Sequence, residues 1–285
     1  MGKKAAGPLT PPLKWAGGKR WLVPVLRDLY LTAAAFPLDH REGAPGEHRH
    51  RRLVEPFVGG LAVSLGLLPE HALLADTNPH PVNFYRWLQR GLVIDIPMEN
   101  SESCFYESRR RFNEIVAAGS SDSKEAACLF YYLNRTCYNG LCRFNRSGGF
   151  NVPFGDYKTI NYRRDFSDYA LVLGPWELQC ADFEQIRTGQ DDFVYADPPY
   201  DVQFRQYSSG GFTWDDQVRL AEWLSRRPGP VVASNQATDR ILELYRSLAF
   251  EIRTLPAPRL IACNGDRTPA LEMLACKNLG SAANA

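Results

Sequence analysis

Leu53-Val54-Glu55-Pro56-Phe57-Val58-Gly59-Gly60, followed by Leu61 to Leu68 and then Ala72-Leu73-Leu74-Ala75-Asp76, is the stretch that decides the fold. Leu53 to Phe57 is a short β-like run, the glycine pair makes a turn, and Leu61 to Leu68 is helix-forming. Ala72 to Asp76 is a second apolar run that ends in an acid. Strand, glycine turn, helix, strand, acid is the opening of a doubly wound α/β sheet. There, a glycine turn after the first strand lets a ligand approach the backbone at a helix N-terminus, and an acid ending the second strand can hold a ribose hydroxyl pair. Asp76 stands 16 residues beyond Gly60, which suits an adenosine-containing cofactor. The turn lacks GxGxxG, which weakens a nicotinamide dinucleotide, and lacks GxxxxGK[ST], which excludes a Walker P-loop. On these residues alone a second reading stands beside the first, with the glycines a tight turn and Asp76 a strand-end cap.

Outward from this stretch, Trp21 to Leu31 reads as a helix with an apolar stripe and Pro24 in its first turn. Residues 1–13 read as an irregular tail and 37–52 as a polar loop. Residues 79–133 read as helices, with apolar positions at 3.6-residue spacing. Residues 134–165 break that period with turn chemistry, including Asn139-Gly140 and Gly148-Gly149. The α/β alternation then resumes, with Asp192 to Ala196 a buried strand, Trp214 to Arg226 a helix and Pro230 to Ser234 a strand. Thr238 to Ser247 is a helix, and Phe250 to Thr254 and Leu271 to Cys276 are closing strands. One α/β domain, 1–78 with 166–285, is thus expected to be interrupted by a mostly helical insertion, 79–165, carrying a hairpin at about 134–158.

The chain has 285 residues, is 45% hydrophobic and 23% charged, and so has ample length for a buried core. No run of eighteen apolar residues occurs, which rules out a transmembrane enzyme. The basic start, Met1 to Ala5, leads into Pro and Trp and does not read as a signal peptide. Seven scattered cysteines with no CxxC pair point to reduced thiols and a cytoplasmic protein rather than a disulfide or zinc scaffold. His48 and His50 stand two apart without a carboxylate or Cys at ligand spacing, so no metal is expected. The net charge of +1 hides an asymmetry. Between Arg135 and Arg164 lie Arg135, Arg143, Arg146, Lys158, Arg163 and Arg164 against the single acid Asp156, with Tyr138, Phe144, Phe150, Phe154, Tyr157 and Tyr162 interleaved. Basic groups neutralise phosphates and aromatic faces stack on bases, although a solvated surface hairpin has the same composition.

Asp197-Pro198-Pro199-Tyr200 follows the buried run Phe193 to Ala196. Two prolines end the ladder abruptly and hold an acid and an exposed aromatic at the carboxyl end of the sheet, where such folds put their chemistry. That arrangement answers the demands of methylating an exocyclic amine, a poor nucleophile whose lone pair is delocalised into the base. Acceptors aimed at its N–H groups draw the nitrogen toward sp³ and receive the developing positive charge. The Asp197 carboxylate and the Pro198 carbonyl are the candidate acceptors, and the Tyr200 ring is a stacking surface.

With these blocks in view, the sequence resembles the Dam/DpnII-type DNA adenine-N6 methyltransferases, the D12 class with a DPPY motif. The likeness is carried by Leu13-Lys14-Trp15-Ala16-Gly17-Gly18-Lys19-Arg20, by Glu55 to Gly60 with Asp76, by Asp197 to Tyr200, and by Tyr138 to Asn145 with Phe150 to Gly155, which is similar to the family's GATC-reading hairpin. It implies a Rossmann-like class I methyltransferase sheet with an inserted, mostly helical DNA-recognition domain plus the β-hairpin. It implies S-adenosylmethionine held by Trp15, Gly18, Lys19, Glu55, Pro56, Phe57, Gly59, Asp76, Asp182, Phe183 and Asp197, with Asp182 and Phe183 flanking the cofactor adenine. It implies methyl transfer to N6 of a flipped adenine in duplex DNA by Asp197, Pro198, Pro199 and Tyr200. Asn139, Leu141, Arg143, Asn145, Pro153 and Tyr157 take the hairpin's DNA-contacting places, Arg143 being suited to a bidentate guanine contact. Double-stranded DNA is the implied partner, with a cognate restriction endonuclease reading the same site as a further one. No membrane or metal is implied.

The sequence departs from the family in its long 37–52 loop and in Arg259 to Thr268, which matches only loosely and receives no role. N4-cytosine methylation, RNA adenine methylation and a catalytically silent DNA binder are the alternatives. The first more often carries Ser in place of Asp197, the second is disfavoured by the hairpin, and the third by the intact Lys19, Asp76 and Asp197 to Tyr200.

Overall fold

The computed structural model describes residues 9–34, 51–201, 211–258 and 270–280. Most of the expected 37–52 loop with His48 and His50, the first eight residues of the tail, Cys263 and all of Arg259 to Thr268 lie outside the described residues. In chain order the elements are α1 (Val23–Ala34), β1 (Arg52–Glu55), α2 (Ala62–Leu67), β2 (Ala72–Asp76), α3 (Pro79–Gln89), α4 (Glu102–Ala117) and α5 (Lys124–Thr136). They continue with α6 (Ser167–Leu173), β3 (Glu177–Cys180), β4 (Asp192–Ala196), α7 (Trp214–Ser225), β5 (Val231–Gln236), α8 (Asp239–Ser247), β6 (Glu251–Ala257) and β7 (Ala270–Lys277). The seven strands form one sheet of order β3-β2-β1-β4-β5-β7-β6. β2, β1, β4 and β5 run parallel, and β7 lies antiparallel to β5 and β6.

Every long element expected from the sequence is present. α6 and β3 had no signal there. β3 is four residues of which only Leu178 is buried, so an edge strand this short leaves no period to read.

The chain forms two compact units, one of residues 1–20, 58–68 and 76–180 and one of residues 21–57, 69–75 and 181–285. In the second, the apolar runs of β1, β4 and β5 are buried almost throughout, as strands covered on both faces must be. Arg52 pins β1 to β4 by a bidentate pair to Asp192, Nε to Oδ1 at 2.9 Å and Nη2 to Oδ2 at 2.8 Å. Val54, Val194, Val231, Leu220, Leu224, Ile241 and Tyr245 fill the core beside these strands.

In the first unit α3 packs on α5 and α6, and α4 on α5. Asn78, Ser101 and Ser123 cap α3, α4 and α5 through side-chain bonds to the first-turn amides. The core is aromatic: Phe84 stacks on Tyr131 at 5.4 Å, Phe166 meets both edge-on, and His80 stacks on Phe144 at 4.6 Å. Residues 137–157 fold back on themselves through isolated antiparallel bridges, Cys137 to Phe154 and Phe144 to Phe150, without a continuous ladder. The reversal is at Asn145 to Gly149, while Asn139 and Gly140, with φ of 53° and 63°, form a tight turn after α5.

Candidate functional site

The expected site residues fall into both units. In the first unit the glycine pair does permit a close approach, and the approaching group is Trp15. A Cβ on Gly59 would stand 2.7 Å from Trp15 Nε1, and one on Gly60 2.7 Å from Trp15 Cβ. Gly59 (φ 48°) and Leu61 (φ 62°) both take the left-handed conformation before α2 begins; such strain gathers at ligand-binding turns. Asp76, at the end of β2, reaches back to this turn: the Gly59 amide donates to Oδ2 at 3.3 Å and the Asn78 amide to Oδ1 at 2.9 Å. Burial pushes the Asp76 carboxyl above the usual carboxylate range, and the backbone donors of Asn78, Gly59 and Thr77 oppose that shift. Tyr85 donates its hydroxyl to the Gly59 carbonyl, fixing the turn from α3. Lys19 is buried, its Nζ donating to the Gly17 carbonyl at 2.9 Å, and Gly18 stands beside it half-buried.

In the second unit β1 and β4 are neighbours, paired Leu53 to Phe193 and Val54 to Val194, and the strand order reverses between them. That is the topological switch point, whose ligand crevice lies beyond the carboxyl ends of the strands. Glu55-Pro56-Phe57 leaves β1 there and Asp197 to Tyr200 leaves β4 there. Glu55 is buried, and the Phe57 ring packs on Phe183 at 5.8 Å and edge-on to Phe212 at 5.6 Å. Asp182 caps the short 3-10 turn Phe183–Gln185, accepting from the Glu184 amide at 3.0 Å. Arg219 of α7 grips Asp182 with two nitrogens, at 2.8 and 3.1 Å, also reaches Glu184 and Asp216, and lies over the Phe183 ring at 4.3 Å. Arg219 holds the Asp182 carboxyl below its ordinary range. Phe183 is itself 2% exposed, so it is a packed floor rather than an open stacking face.

Asp197 is half-buried, and Ser234 Oγ of β5 donates to its Oδ1 at 3.0 Å. Pro198 is buried and Pro199 exposed; the Pro199 carbonyl accepts from Gln217 Nε2 at 2.8 Å. Tyr200, expected to be exposed, is half-buried. Burial beside the charges of Asp197 and Glu272 drives its hydroxyl far above the usual phenol range.

The hairpin residues divide into presented and structural groups. Asn139, Arg143 and Pro153 are exposed and Leu141 half-buried. Arg143 is held by Asn151, Nε to Oδ1 at 2.8 Å and Nη2 to the carbonyl at 3.1 Å. Asn145 is also exposed, but its Oδ1 accepts from the Ser147 amide, the Ser147 hydroxyl and the Gly149 amide, closing the reversal. Tyr157 donates to the Cys137 carbonyl at 2.9 Å, with Lys14 Nζ 3.7 Å above its ring. Of the six interleaved aromatics, Phe144, Phe150 and Phe154 pack inward, while Tyr138 at 52% and Tyr162 at 43% keep open surface. Arg163 and Arg164 bind Asp168 and the carbonyls of Ile94 and Ile96, tying down the segment after the hairpin.

Sequence reasoning assigned no role to four residues that organise these sets. Lys14 joins the N-terminal motif to the hairpin base through the Arg135 carbonyl, and Asn134 exchanges hydrogen bonds with the Lys14 backbone. Gln217 and Ser234 brace the Asp197 loop. The polar pair Ser234-Asn235 in an otherwise apolar strand was the available signal, since buried polar groups need partners.

Fold and site together define an α/β transferase of the Rossmann-like methyltransferase type, with an acid-Pro-Pro-Tyr turn at the switch point. Residues 15–257 match the family model of the D12 class N6 adenine-specific DNA methyltransferases, and the chain belongs to that family. It is 34% identical over 280 residues to the retron Ec67 DNA adenine methylase of Escherichia coli, covering 92% of this chain and 90% of the relative. The DNA adenine methylase of E. coli K12 is 33% identical over 272 residues, 89% of each chain. The type II methyltransferase M.MjaIII of Methanocaldococcus jannaschii is 31% identical over 287 residues, 90% of this chain and 94% of the relative. Membership of a methyltransferase family implies S-adenosylmethionine as methyl donor and DNA as substrate. Among the described residues no helix is long and apolar enough to cross a membrane.

Proposed function

We propose that this chain methylates N6 of adenine in duplex DNA at GATC, taking the target base out of the stack. The observation that carries the reading is the Asp197-Pro198-Pro199-Tyr200 turn at the end of β4, with its carboxylate fixed by Ser234 and its backbone stiffened by two prolines. N6 of adenine cannot be reached inside a duplex, so the chemistry requires extrusion.

The donor sets suit S-adenosylmethionine. Asp76 offers carboxylate lone pairs beside the glycine turn for a ribose diol. Lys19 supplies a cation for the methionine carboxylate, with Trp15 and Gly18 shaping the same motif. Glu55, Pro56, Phe57, Asp182 and Phe183 line the β1 side of the switch point, Asp182 being an ionised acceptor for the adenine amine. S-adenosylmethionine supplies an electrophilic methyl group on a sulfonium. The Asp197 carboxylate and the Pro198 carbonyl accept the two N–H bonds of the target amine, pull its lone pair out of conjugation and take up the positive charge that develops on nitrogen. Tyr200 gives the base a ring to stack against.

Residues 79–165 supply recognition. Phosphate contacts from the basic hairpin set the register, and the exposed Arg143 guanidinium reads guanine, with Asn139, Leu141 and Pro153 as further base-contacting residues. Asn145 and Tyr157 serve this surface by shaping it. Relatives named type II methyltransferases support a restriction endonuclease of matching specificity as a cellular partner. The reading places the protein's work in the cytoplasm, with the DNA.

The test uses unmethylated plasmid, labelled S-adenosylmethionine and the purified protein, with methylated sites mapped after digestion to nucleosides. N6-methyladenine confined to GATC supports the whole reading. N6-methyladenine elsewhere overturns the site, and DNA binding without a labelled base overturns catalysis. A duplex carrying 2-aminopurine at the target position should brighten on binding if the base is extruded; unchanged emission overturns extrusion.

A further inference from the structure

The prolines of the Asp197 loop have no N–H, so their backbone can be held only through carbonyls. Two buried polar chains hold the loop from opposite faces of β5, one at the Asp197 side chain and one at the Pro199 carbonyl. Successive strand residues point to opposite faces, and Ser234 and Asn235 are successive and fully buried, each 0% exposed. On one face Ser234 Oγ donates to Asp197 Oδ1 at 3.0 Å, and the Tyr195 hydroxyl lies 2.9 Å from Ser234 Oγ. A hydroxyl has one proton. Ser234 gives its proton to Asp197, so Tyr195 supplies the proton of the second contact and the chain runs Tyr195 to Ser234 to Asp197. On the other face Asn235 Nδ2 donates to Gln217 Oε1 at 3.0 Å, which orients the Gln217 amide so that Nε2 donates to the Pro199 carbonyl at 2.8 Å. Tyr195 and Gln217 are each 1% exposed. A fully apolar set of the same shape would cost the fold little, so stability alone does not ask for these groups.

We propose that Ser234, oriented by Tyr195, and Gln217, oriented by Asn235, are positioning residues for methyl transfer: they fix the Asp197 carboxylate and the Pro199 carbonyl from opposite faces of β5. This rests on the reading of Asp197 to Tyr200 as the catalytic loop. Displacement of a reacting group by about 1 Å costs about a hundredfold in rate, and the Ser234 hydroxyl holds Asp197 Oδ1 in one place.

The experiment measures single-turnover methyl transfer, and binding of S-adenosylmethionine and duplex, for the full chain and for Ser234→Ala, Ser234→Thr, Tyr195→Phe, Gln217→Met and Asp197→Ala. Ser234→Ala and Gln217→Met should slow transfer by about ten- to hundredfold, with both dissociation constants within about threefold of the parent. Ser234→Thr, which keeps the hydroxyl, should recover most of the rate. Tyr195→Phe, the mildest change, should slow transfer severalfold and carries the test if Ser234→Ala does not fold. Parental rates in Ser234→Ala, Tyr195→Phe and Gln217→Met beside an inactive Asp197→Ala overturn the positioning role alone. So does weakened binding at an unchanged rate, or a Ser234→Thr variant as slow as Ser234→Ala. A fully active Asp197→Ala overturns the reading of the loop itself.

Discussion

Gly60 and Asp197 show how much a single position carries. A Cβ at Gly60 would stand 2.7 Å from Trp15 Cβ, closer than real atoms approach. Gly60→Ala should therefore lower the unfolding free energy by about 1–3 kcal/mol and weaken S-adenosylmethionine binding, read by thermal denaturation and calorimetry; unchanged values for both would show that Trp15 moves aside freely. Asp197→Ala should abolish methyl transfer while leaving duplex binding intact. Loss of DNA binding in that variant would assign Asp197 to the fold rather than to the amine. Arg143→Ala should lower discrimination at one base by roughly 1–3 kcal/mol, measured by competition between cognate duplex and single-substitution duplexes. An unchanged preference would remove Arg143 from base reading.

Among the elements, α3 and the hairpin are joined by one aromatic stack, His80 on Phe144 at 4.6 Å. Burial lowers the His80 imidazole from 6.5 to about 4, so the native state keeps it neutral. Between those values the unfolded chain binds a proton that the folded chain refuses. Stability conferred by the neutral ring is therefore complete above about 6.5 and is lost progressively as the pH falls toward 4. His80→Phe, which keeps a ring against Phe144, should flatten the decline of Tm over that interval; a decline as steep as the parent's would assign the acid sensitivity elsewhere. Contacts from α4 explain the hairpin's form. Its strands have only isolated bridges because Asn113 of α4 takes the Phe150 amide and carbonyl at 2.7 and 3.2 Å, and Arg109 takes the Val152 carbonyl at 3.1 Å. Side chains from a helix replace the partner strand, leaving Arg143 on a loop fixed by its surroundings.

For the molecule as a whole, a net charge of +1 gives little long-range attraction for a polyanion, so affinity for DNA must come from the local surplus around the hairpin. Duplex affinity should fall with salt along a log–log slope of about −4, the value expected for four to five neutralised phosphates. A slope near zero would mean that these basic groups do not face the backbone. Much of this organisation is legible in the residues. The glycine turn with Asp76 and the Asp-Pro-Pro-Tyr turn after a buried run announced the sheet and chemistry at its carboxyl end, because strand ends, glycine turns and prolines act through local backbone geometry. β3 was not legible, since one buried residue in four makes no pattern. Tyr200 read as an open stacking face and is in fact half-buried, because exposure depends on neighbours far away in the chain.

The sequence by itself determined the long strands and helices other than α6 and β3, the two turns that gather chemistry, and membership of the D12 family, since each is written in contiguous residues whose backbone preferences and side-chain types are local. Only the tertiary structure decided that Trp15 is the group the glycine pair admits, that Arg219 restrains Asp182, that Asn151 holds Arg143, and that Ser234 of β5 and Gln217 of α7 grip the Asp197 loop. Each of these joins residues between 8 and 45 positions apart. A hydrogen bond or a van der Waals contact forms only where folding brings its partners within about 3–4 Å, and no local pattern records which partners those are.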